Sequence, residues 1–322
     1  MSEESLLVVD DLEKHFGGIT AVDGVSFDID PGEITGLIGP NGAGKTTTFN
    51  LISGFLTPDG GEIRYKGTDL QEIMIPSAAE RGYFAGSSAL SAGLVGVGVA
   101  SQFDPSTAAL AGAGLVGAAL GVGVYGGQER FKTDVLGQRH SRPFQVSRAG
   151  MVRTFQITRE LEGLTVRDNL LLAPKGQPGE NVLKTWLGFD SVEETEAAIR
   201  ERAAEVLELL DLEHLEEEYA GNLSGGQRKL LELGRVLMAD PDLILLDEPV
   251  AGVNPTLTRT LLSRIRNLSE EGYTFCIVEH DMEVIMNLSD KIVVMDQGQK
   301  LTEGTPEEVK NDQRVLDAYL GG

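Results

Sequence analysis

The stretch "EITGLIGPNGAGKTTTFN", residues 33–50, decides the fold because a short apolar run leads directly into a glycine-rich loop. The part from residue 39 to residue 50 holds three glycines, one lysine and a row of hydroxyls, but no acid. Glycine has no Cβ atom, so the backbone N–H groups of such a loop can wrap around a phosphate chain. A helix predicted from Lys45 to about Ser53 adds the positive end of its dipole. The stretch therefore predicts a strand, a phosphate-binding loop and a helix.

The spacing within this loop assigns roles to single residues. Gly39, Gly44, Lys45 and Thr46 satisfy G-x-x-x-x-G-K-[ST], the pattern of a nucleotide-binding P-loop. Lys45 is predicted to reach the β and γ phosphates, and the Thr46 hydroxyl to ligate Mg²⁺. The alternative, a chance glycine turn, would not explain the strand-like run before it. The loop residues predicted to contact ATP are Gly39, Asn41, Gly42, Gly44, Lys45, Thr46 and Thr47.

A second short stretch, "LILLDEP" at residues 243–249, supplies two adjacent acids at the end of an apolar run. Two carboxylates at the end of a buried strand are costly unless a cation lies nearby. Asp247 is predicted to hold the magnesium shell. Glu248 points to the other side of the strand and is predicted to polarise the attacking water. The alternative is a strand-end turn that exposes both acids to solvent.

Two further polar residues are candidates for the same site. His280 follows a third apolar run in "CIVEHDM", and its strand is expected beside the two strands that carry the phosphate site. We therefore predict that His280 contacts the γ phosphate, although a lone histidine at a strand end is usually incidental. Gln156, in "VRTFQIT", is placed where it could reach the metal or the water.

The pattern along the chain predicts the fold class. Alternating stretches near the N-terminus, such as "SLLVVDDLEKHF" and "GEIRYKG", indicate strands separated by Gly and Pro turns. The runs "PDLILLDEP", "YTFCIVEHD" and "DKIVVMDQG" suit strands buried on both faces. Helical periodicity over residues 193–215 indicates an amphipathic helix. Buried strands that alternate with helices imply an α/β fold with a parallel sheet.

The charge and the cysteine content limit the classes of function. The 322-residue chain has a net charge of −23 and a pI near 4.5, which repels nucleic acid and anionic lipid. This acidity suits a halophilic protein, or else an ordinary acidic cytoplasmic one. Cys276 is the single cysteine, so no internal disulfide forms, and its apolar neighbours predict a core thiol. The first residues show no signal-peptide pattern, which predicts a cytoplasmic location.

The stretch "LSGGQRKLLELGRVLMADPDLILLDEP", residues 223–249, resembles the LSGGQ signature of ABC-type ATPases. It forms a second glycine-rich anion site at the start of a helix, but without a lysine. The resemblance extends from about Leu6 to Gly321 and implies a P-loop NTPase core over residues 1–72 and 144–322. It also implies an N-terminal antiparallel β subdomain and a helical subdomain at about 157–222.

The resemblance implies further site residues, all for ATP and Mg²⁺. Phe16 corresponds to an aromatic that stacks on adenine, and Gln156 to a glutamine that senses the metal and meets membrane subunits. Asn254, in "AGVNP", stands where many relatives have Asp. Two such domains pack head to tail in this family, so the signature of one covers ATP held by the other. The signature residues with this implied role are Ser224, Gly225, Gly226 and Gln227.

The segments "RTFQ", "AGVNP", "VEHDM" and "EGTPEEVKNDQRVLDAYLGG" resemble ATPase subunits of branched-chain amino-acid importers. This implies a peripheral protein on the cytoplasmic face of the membrane. Its partners would be permease subunits, a second ABC ATPase, identical or sister, and indirectly a substrate-binding protein. An importer of urea or amides and an exporter remain alternatives. A soluble ABC protein of DNA repair or translation is disfavoured by the acidic charge, the single cysteine and the lack of heptads.

Residues 73–143 replace what the resemblance implies is a short linker. Between residues 82 and 127 the stretch is rich in Gly and Ala, and Asp104 is its only acid or base. Small residues recur every four positions, which lets two helices approach closely. We predict a helical hairpin over residues 87–125. Three possibilities remain open for this segment. The hairpin dips into the membrane or packs on the membrane subunits, or it packs on the ATPase itself. The third possibility is a flexible low-complexity loop in place of a hairpin.

Overall fold

The computed structural model describes residues 5–75, 143–154, 161–174 and 189–320. The chain divides into two compact units, one of Met1–Leu70 with Arg142–Gly322 and one of Gln71–Ser141. Only residues 71–75 of the second unit are described. The predicted hairpin over 87–125 lies outside the described residues, as does almost all of the predicted insert.

An antiparallel sheet forms near the N-terminus, as predicted. Its strands are β1 Leu7–Phe16, β2 Ile19–Ile29, β4 Gly60–Tyr65 and β5 Thr68–Asp69, in the order β2-β1-β4-β5. The alternation of β1 buries Leu7, Val9 and Leu12 on one face. Asp11, at a φ of 48°, accompanies a break in the β1–β2 register between Val9 and Leu12. The β1–β2 pairing ends at Phe16 and Ile19.

A six-stranded sheet forms the centre of the first unit. It contains β3 Ile34–Ile38, β6 Met151–Arg153, β7 Leu243–Asp247, β8 Thr274–Val278, β9 Lys291–Asp296 and β10 Gln299–Gly304. The order is β10-β9-β3-β8-β7-β6, and all neighbours are parallel except β10 and β9. Every residue of β3, β7 and β8 is buried. The continuous apolar runs predict this burial for β7 and β8. Because β3, β8 and β7 are adjacent and parallel, their carboxyl ends meet at one edge of the sheet.

Helices connect these strands. They are α1 Lys45–Ile52, α2 Leu70–Ile73, α3 Pro143–Arg148, α4 Val166–Leu171, α5 Phe189–Leu210, α6 Gly225–Leu237, α7 Pro255–Glu270, α8 Met282–Leu288, α9 Pro306–Asn311 and α10 Gln313–Leu320. The helix predicted over 193–215 ends earlier, at Leu210. Asp211 there adopts the left-handed region at a φ of 59°, and a separate 3₁₀ turn, Glu213–Leu215, follows.

Helices α4 and α5 fall in the region predicted as the helical subdomain, about 157–222, and they pack with α6, which follows that region. A Cβ atom on Gly234 of α6 would lie 3.0 Å from side-chain atoms of both Leu170 in α4 and Leu210 in α5. Glycine at this position therefore lets the three helices approach closely. Among the described residues, no helix combines the length and the apolar character that crossing a membrane requires.

Candidate nucleotide-binding site

A cavity of about 440 Å³ opens where the carboxyl ends of β3, β7 and β8 meet. The glycine-rich loop and the first turn of α1 form one side, and the start of β2 forms another. The ends of β7 and β8 contribute the carboxylate of Glu248 and the imidazole of His280. The lining residues are Ile19, Thr20, Ala21, Asn41, Gly42, Ala43, Gly44, Lys45, Thr46, Thr47, Glu248, Val278 and His280.

Two loop positions admit only glycine. Gly39 has a φ of 154°, and a Cβ atom there would lie 2.1 Å from the carbonyl oxygen of Met295. Gly44 has a φ of 95°, and its Cβ atom would lie 2.4 Å from the carbonyl oxygen of Ala21. Gly42 is also left-handed, at 82°, but nothing lies within 4 Å of its Cβ position. The backbone thus takes a path that side chains would block at Gly39 and Gly44.

The start of α1 faces the cavity with uncapped backbone N–H groups. Gly44 is the N-cap, no side chain caps it, and no acid lies in the first turn. The Nζ atom of Lys45 donates hydrogen bonds of 2.7 Å to the Gly39 carbonyl and 3.0 Å to the Pro40 carbonyl. Burial lowers the pKa of Lys45, while the negative charge of Glu248 opposes that shift. This edge of the cavity is therefore suited to an anion.

The two adjacent acids, Asp247 at the end of β7 and Glu248 directly after it, have different surroundings. Glu248 lines the cavity at a φ of 47°, and its backbone N–H donates a 2.9 Å hydrogen bond to the Val278 carbonyl. Asp247 does not line the cavity. Its side chain is 8% exposed and forms a 2.6 Å ion pair with Nη2 of Arg153. Sequence reasoning missed Arg153, because the two strands that carry this pair are about ninety residues apart in the chain.

His280 lies beside two carboxylates. Its Nδ1 atom is 3.9 Å from Oε1 of Glu248 and 3.7 Å from Oε2 of Glu279. Glu279 is fully buried and accepts hydrogen bonds from the backbone N–H groups of Val250, at 3.1 Å, and His280, at 3.3 Å. Burial raises the pKa of Glu279. Sequence reasoning also missed Glu279, although an acid directly after a buried strand was a usable signal.

The signature segment begins α6 and is not among the residues that line the cavity. Ser224 is exposed and is the N-cap: its hydroxyl accepts from the Gln227 N–H, and the Gln227 side chain accepts from the Ser224 N–H at 2.9 Å. A Cβ atom on Gly226 would lie 2.6 Å from the Leu257 side chain. The segment therefore forms an exposed, capped helix start that lies apart from the cavity of its own chain.

Two other residues singled out in the sequence, Phe16 and Asn254, do not line the cavity. Phe16 is 47% exposed and pairs across the sheet with Ile19, a residue that does line it. Gln156 lies outside the described residues. The side chain of Asn254 accepts 3.1 Å hydrogen bonds from the N–H groups of Thr256 and Leu257, so this residue caps α7.

The C-terminal helix also reaches the loop, which no sequence signal indicated. The side chain of Tyr319 in α10 is in hydrogen-bond contact with the backbone of Gly39. Burial raises the pKa of Tyr319 to about 12, and this hydrogen bond opposes the rise. The end of the chain thus packs against the start of the phosphate-binding loop.

The donor set fits a nucleotide with Mg²⁺. A glycine path that a Cβ atom would block, an uncapped helix start and a lysine suit phosphate oxygens. The Thr46 hydroxyl and the Glu248 carboxylate line the same cavity, and the buried Asp247 carboxylate immediately precedes Glu248. Hydroxyl and carboxylate oxygens are the ligands that Mg²⁺ prefers. The arrangement defines the class of P-loop nucleotide hydrolases.

Comparison with known proteins identifies the family. A profile described as "ABC transporter" matches residues 22–95 and 126–251, and one described as "Branched-chain amino acid ATP-binding cassette transporter" matches residues 299–322. The chain belongs to the ABC transporter family, as an ATP-binding subunit with ATPase activity.

Curated relatives match almost end to end. A probable branched-chain amino acid transport ATP-binding protein LivG from Archaeoglobus fulgidus is 34% identical over 98% of this chain and 95% of its own. The high-affinity branched-chain amino acid transport ATP-binding protein BraF from Pseudomonas aeruginosa is 32% identical, with 98% of each chain covered. The crystal structure of a nucleotide-free ATP-binding cassette from an ABC transporter is 31% identical, with a TM-score of 0.65 over 99% of this chain and 100% of its own.

Proposed function

We propose that this protein is the ATP-binding and hydrolysing subunit of an importer that takes up branched-chain, hydrophobic amino acids. The single observation that carries the catalytic part is one cavity lined by Lys45, Thr46, Glu248 and His280. The match of the C-terminal segment, residues 299–322, supports the substrate class. The names of the curated relatives support it as well.

The residues around the cavity act on the γ phosphate. Lys45 binds the β and γ phosphates, and the N–H groups at the start of α1 hold the phosphate chain. Glu248 accepts a proton from the attacking water, and His280 orients the γ phosphate from the end of the neighbouring strand β8. Mg²⁺, held by Thr46, Asp247 and Gln156, would neutralise charge that develops on the phosphate oxygens. Phe16, beside Ile19, stacks on the adenine ring.

The test of this site is the replacement Glu248→Gln. We expect ATP binding to remain within about threefold of wild type, while turnover falls by about 10²- to 10⁴-fold because the general base is lost. Glu270→Gln, at an exposed position on α7, is the matched control and should hydrolyse ATP normally. Normal turnover by Glu248→Gln would remove the assignment of the base.

We further propose that two ATPase subunits pack head to tail around ATP. Ser224, Gly225, Gly226 and Gln227 then complete the site of the mate, because they do not line the cavity of their own chain. Ser224→Arg should abolish ATP-dependent dimers of the Glu248→Gln protein but leave ATP binding by the monomer unchanged. Size-exclusion chromatography with light scattering would measure the dimers, with a sister subunit added if this chain does not pair with itself, and binding of fluorescent ATP would measure the monomer. Loss of monomeric ATP binding would place the signature in the site of its own chain instead.

The transport assignment predicts peripheral attachment to permease subunits at the cytoplasmic face of the membrane. Reconstitution with those subunits and a substrate-binding protein would give ATPase activity stimulated by leucine, isoleucine or valine. Stimulation by urea or amides alone, or export of a substrate, would contradict the substrate class.

We also propose that residues 73–143 are a Gly/Ala-rich insert that carries a helical hairpin over 87–125. Deleting residues 82–127 should reduce membrane association in cells that lack the other subunits. Unchanged association would contradict membrane contact by the insert. It would favour packing on the ATPase or a flexible loop.

A further inference from the structure

Arg153, at the end of β6, forms hydrogen bonds to strand β7, to helix α1 and to the C-terminal cap of α1. Its Nη2 atom donates a 2.6 Å hydrogen bond to Oδ2 of Asp247 in β7. Its Nη1 atom donates to Oδ1 of Asn50, at 2.6 Å, and to the hydroxyl of Ser53, at 3.1 Å. Asn50 belongs to α1 and Ser53 is the residue at its C-terminal cap, so one guanidinium joins the helix of the phosphate loop to the proposed metal carboxylate.

The guanidinium is held in place by aromatic rings. Its central carbon lies 4.8 Å from the ring centroid of Phe49 and 5.2 Å from that of Phe55. Among the described residues, its buried Nε atom has no hydrogen-bond partner. A buried donor without a partner costs free energy, which the hydrogen bonds and ring contacts of the guanidinium must offset. Arg153 is therefore an anchored cation and not a mobile one.

Because Asp247 is buried, its carboxylate needs a positive charge beside it. The side chains of Asp247 and Arg153 are 8% and 13% exposed, and Asp247 ends a strand that is buried at all five positions. A buried carboxylate without a cation is strongly destabilising. Among the described residues, the one ion pair of Asp247 is with Arg153. This pair places a positive charge against the carboxylate and holds it in one orientation.

We propose that Arg153 is the resident counter-ion of Asp247. Before the metal binds, the guanidinium of Arg153 takes the place of Mg²⁺ beside this carboxylate, and it weakens the binding of free Mg²⁺. The weakening follows because two cations that share one carboxylate repel each other. The phosphates of ATP then supply the additional negative charge, so that the metal enters together with the nucleotide. This inference rests on the proposed assignment of Asp247 to the metal.

A double-mutant cycle with a metal arm tests the counter-ion role. Arg153→Met should lower the Tm by about 5–15 °C, because one partner of a buried ion pair is removed. In the double variant Arg153→Met with Asp247→Asn, most of that loss should be recovered, because the unpaired charge is gone. Without nucleotide, Mg²⁺ should raise the Tm of Arg153→Met by several degrees. Wild type and the double variant should shift by less than about 1 °C at equal ionic strength.

The equal ionic strength matters because a chain of net charge −23 gains stability from any salt. Two further variants keep the result interpretable. Arg153→Gln replaces Arg153→Met if the latter does not fold, since it is neutral but still forms hydrogen bonds. Arg153→Lys keeps the charge and should show no Tm gain from Mg²⁺. Its single ammonium group has no planar fork to reach all three acceptors, so an intermediate Tm is expected.

A purely structural link between α1 and the sheet would give a different result. In that case Asp247→Asn would not restore the Tm of Arg153→Met, and Mg²⁺ would shift all variants equally; either finding would overturn the counter-ion role. Failure of the metal assignment itself is seen separately, in Asp247→Asn alone. If that variant keeps the wild-type Mg²⁺ dependence of fluorescent-ATP binding, Asp247 is not a metal ligand.

Discussion

The backbone N–H of Val250 donates a 3.1 Å hydrogen bond to Oε1 of Glu279, a carboxylate with no exposed surface. This bond ties the segment after β7 to the end of β8. The acceptor, Glu279, directly precedes His280 in the chain, and the donor, Val250, is two residues after Glu248. Because the Glu279 carboxyl is both buried and ionisable, its contribution to the free energy of unfolding depends on pH.

The first prediction concerns Glu279→Gln. Burial raises the folded-state pKa of Glu279 above its ordinary value of 4.5. The stability that this group contributes is therefore fully present below the unfolded pKa, and it is lost as pH rises through the folded pKa. Glutamine keeps an acceptor for the Val250 N–H and cannot ionise. We expect the difference in unfolding free energy, variant minus wild type, to increase as pH rises from about 4.5 towards neutral.

Urea unfolding at a series of pH values would measure this difference. Glu271→Gln, an exposed change, is the control and should give a flat difference curve. A flat curve for Glu279→Gln as well would mean that Glu279 titrates in the folded protein as it does in the unfolded chain.

A second prediction separates backbone strain from steric blockage in the phosphate loop. Gly42 and Gly44 both have left-handed φ angles, 82° and 95°, but only at Gly44 would a Cβ atom meet backbone, at 2.4 Å. Gly42→Ala should cost about 1–2 kcal/mol from strain alone. Gly44→Ala adds the displacement of Ala21 and should cost about 2–5 kcal/mol. Equal urea midpoints for the two variants would show that the loop shifts freely.

A third prediction uses the single cysteine as a reporter of unfolding. Cys276 in β8 is fully buried, and burial raises the pKa of its thiol to about 12. At pH 8 only about one thiol in 10⁴ would be ionised, and none is accessible. We expect a thiol reagent to label the native protein only as fast as the protein unfolds. One group per chain should react in concentrated urea.

The same labelling experiment reports on ligand binding. MgATP binds the native state, so it should slow the labelling of Cys276 in the Glu248→Gln variant, which does not consume it. Rapid labelling in the absence of urea would contradict the buried position of this strand.

A fourth prediction concerns Asn254, which stands where the family resemblance implies Asp in many relatives. The Asn254 side chain accepts from the N–H groups of Thr256 and Leu257 and caps α7. Asn254→Ala should therefore cost about 1 kcal/mol, whereas Asn254→Asp should stay within about 0.5 kcal/mol because aspartate caps equally well. Thermal unfolding would rank the three proteins. An Asn254→Ala protein as stable as wild type would leave the residue without a capping role.

Much of the central sheet could be predicted because its signals are local. The runs that contain β7 and β8 are continuous and apolar, and such runs suit strands buried on both faces. Helix α1 extends from Lys45 to Ile52, one residue short of the predicted end. The end of α5 was predicted too late, because the apolar spacing continues past Asp211 while the backbone there turns to a φ of 59°.

By itself, the sequence determined the phosphate loop and the buried strands, because each depends on neighbours within a few residues. Only the tertiary structure decided which distant side chains meet these groups. Arg153 reaches Asp247 because β6 and β7 are adjacent in the sheet, and Tyr319 reaches Gly39 because the last helix packs against the first loop. Pairings between strands and helices far apart in the chain follow from packing, which no local pattern of residues encodes.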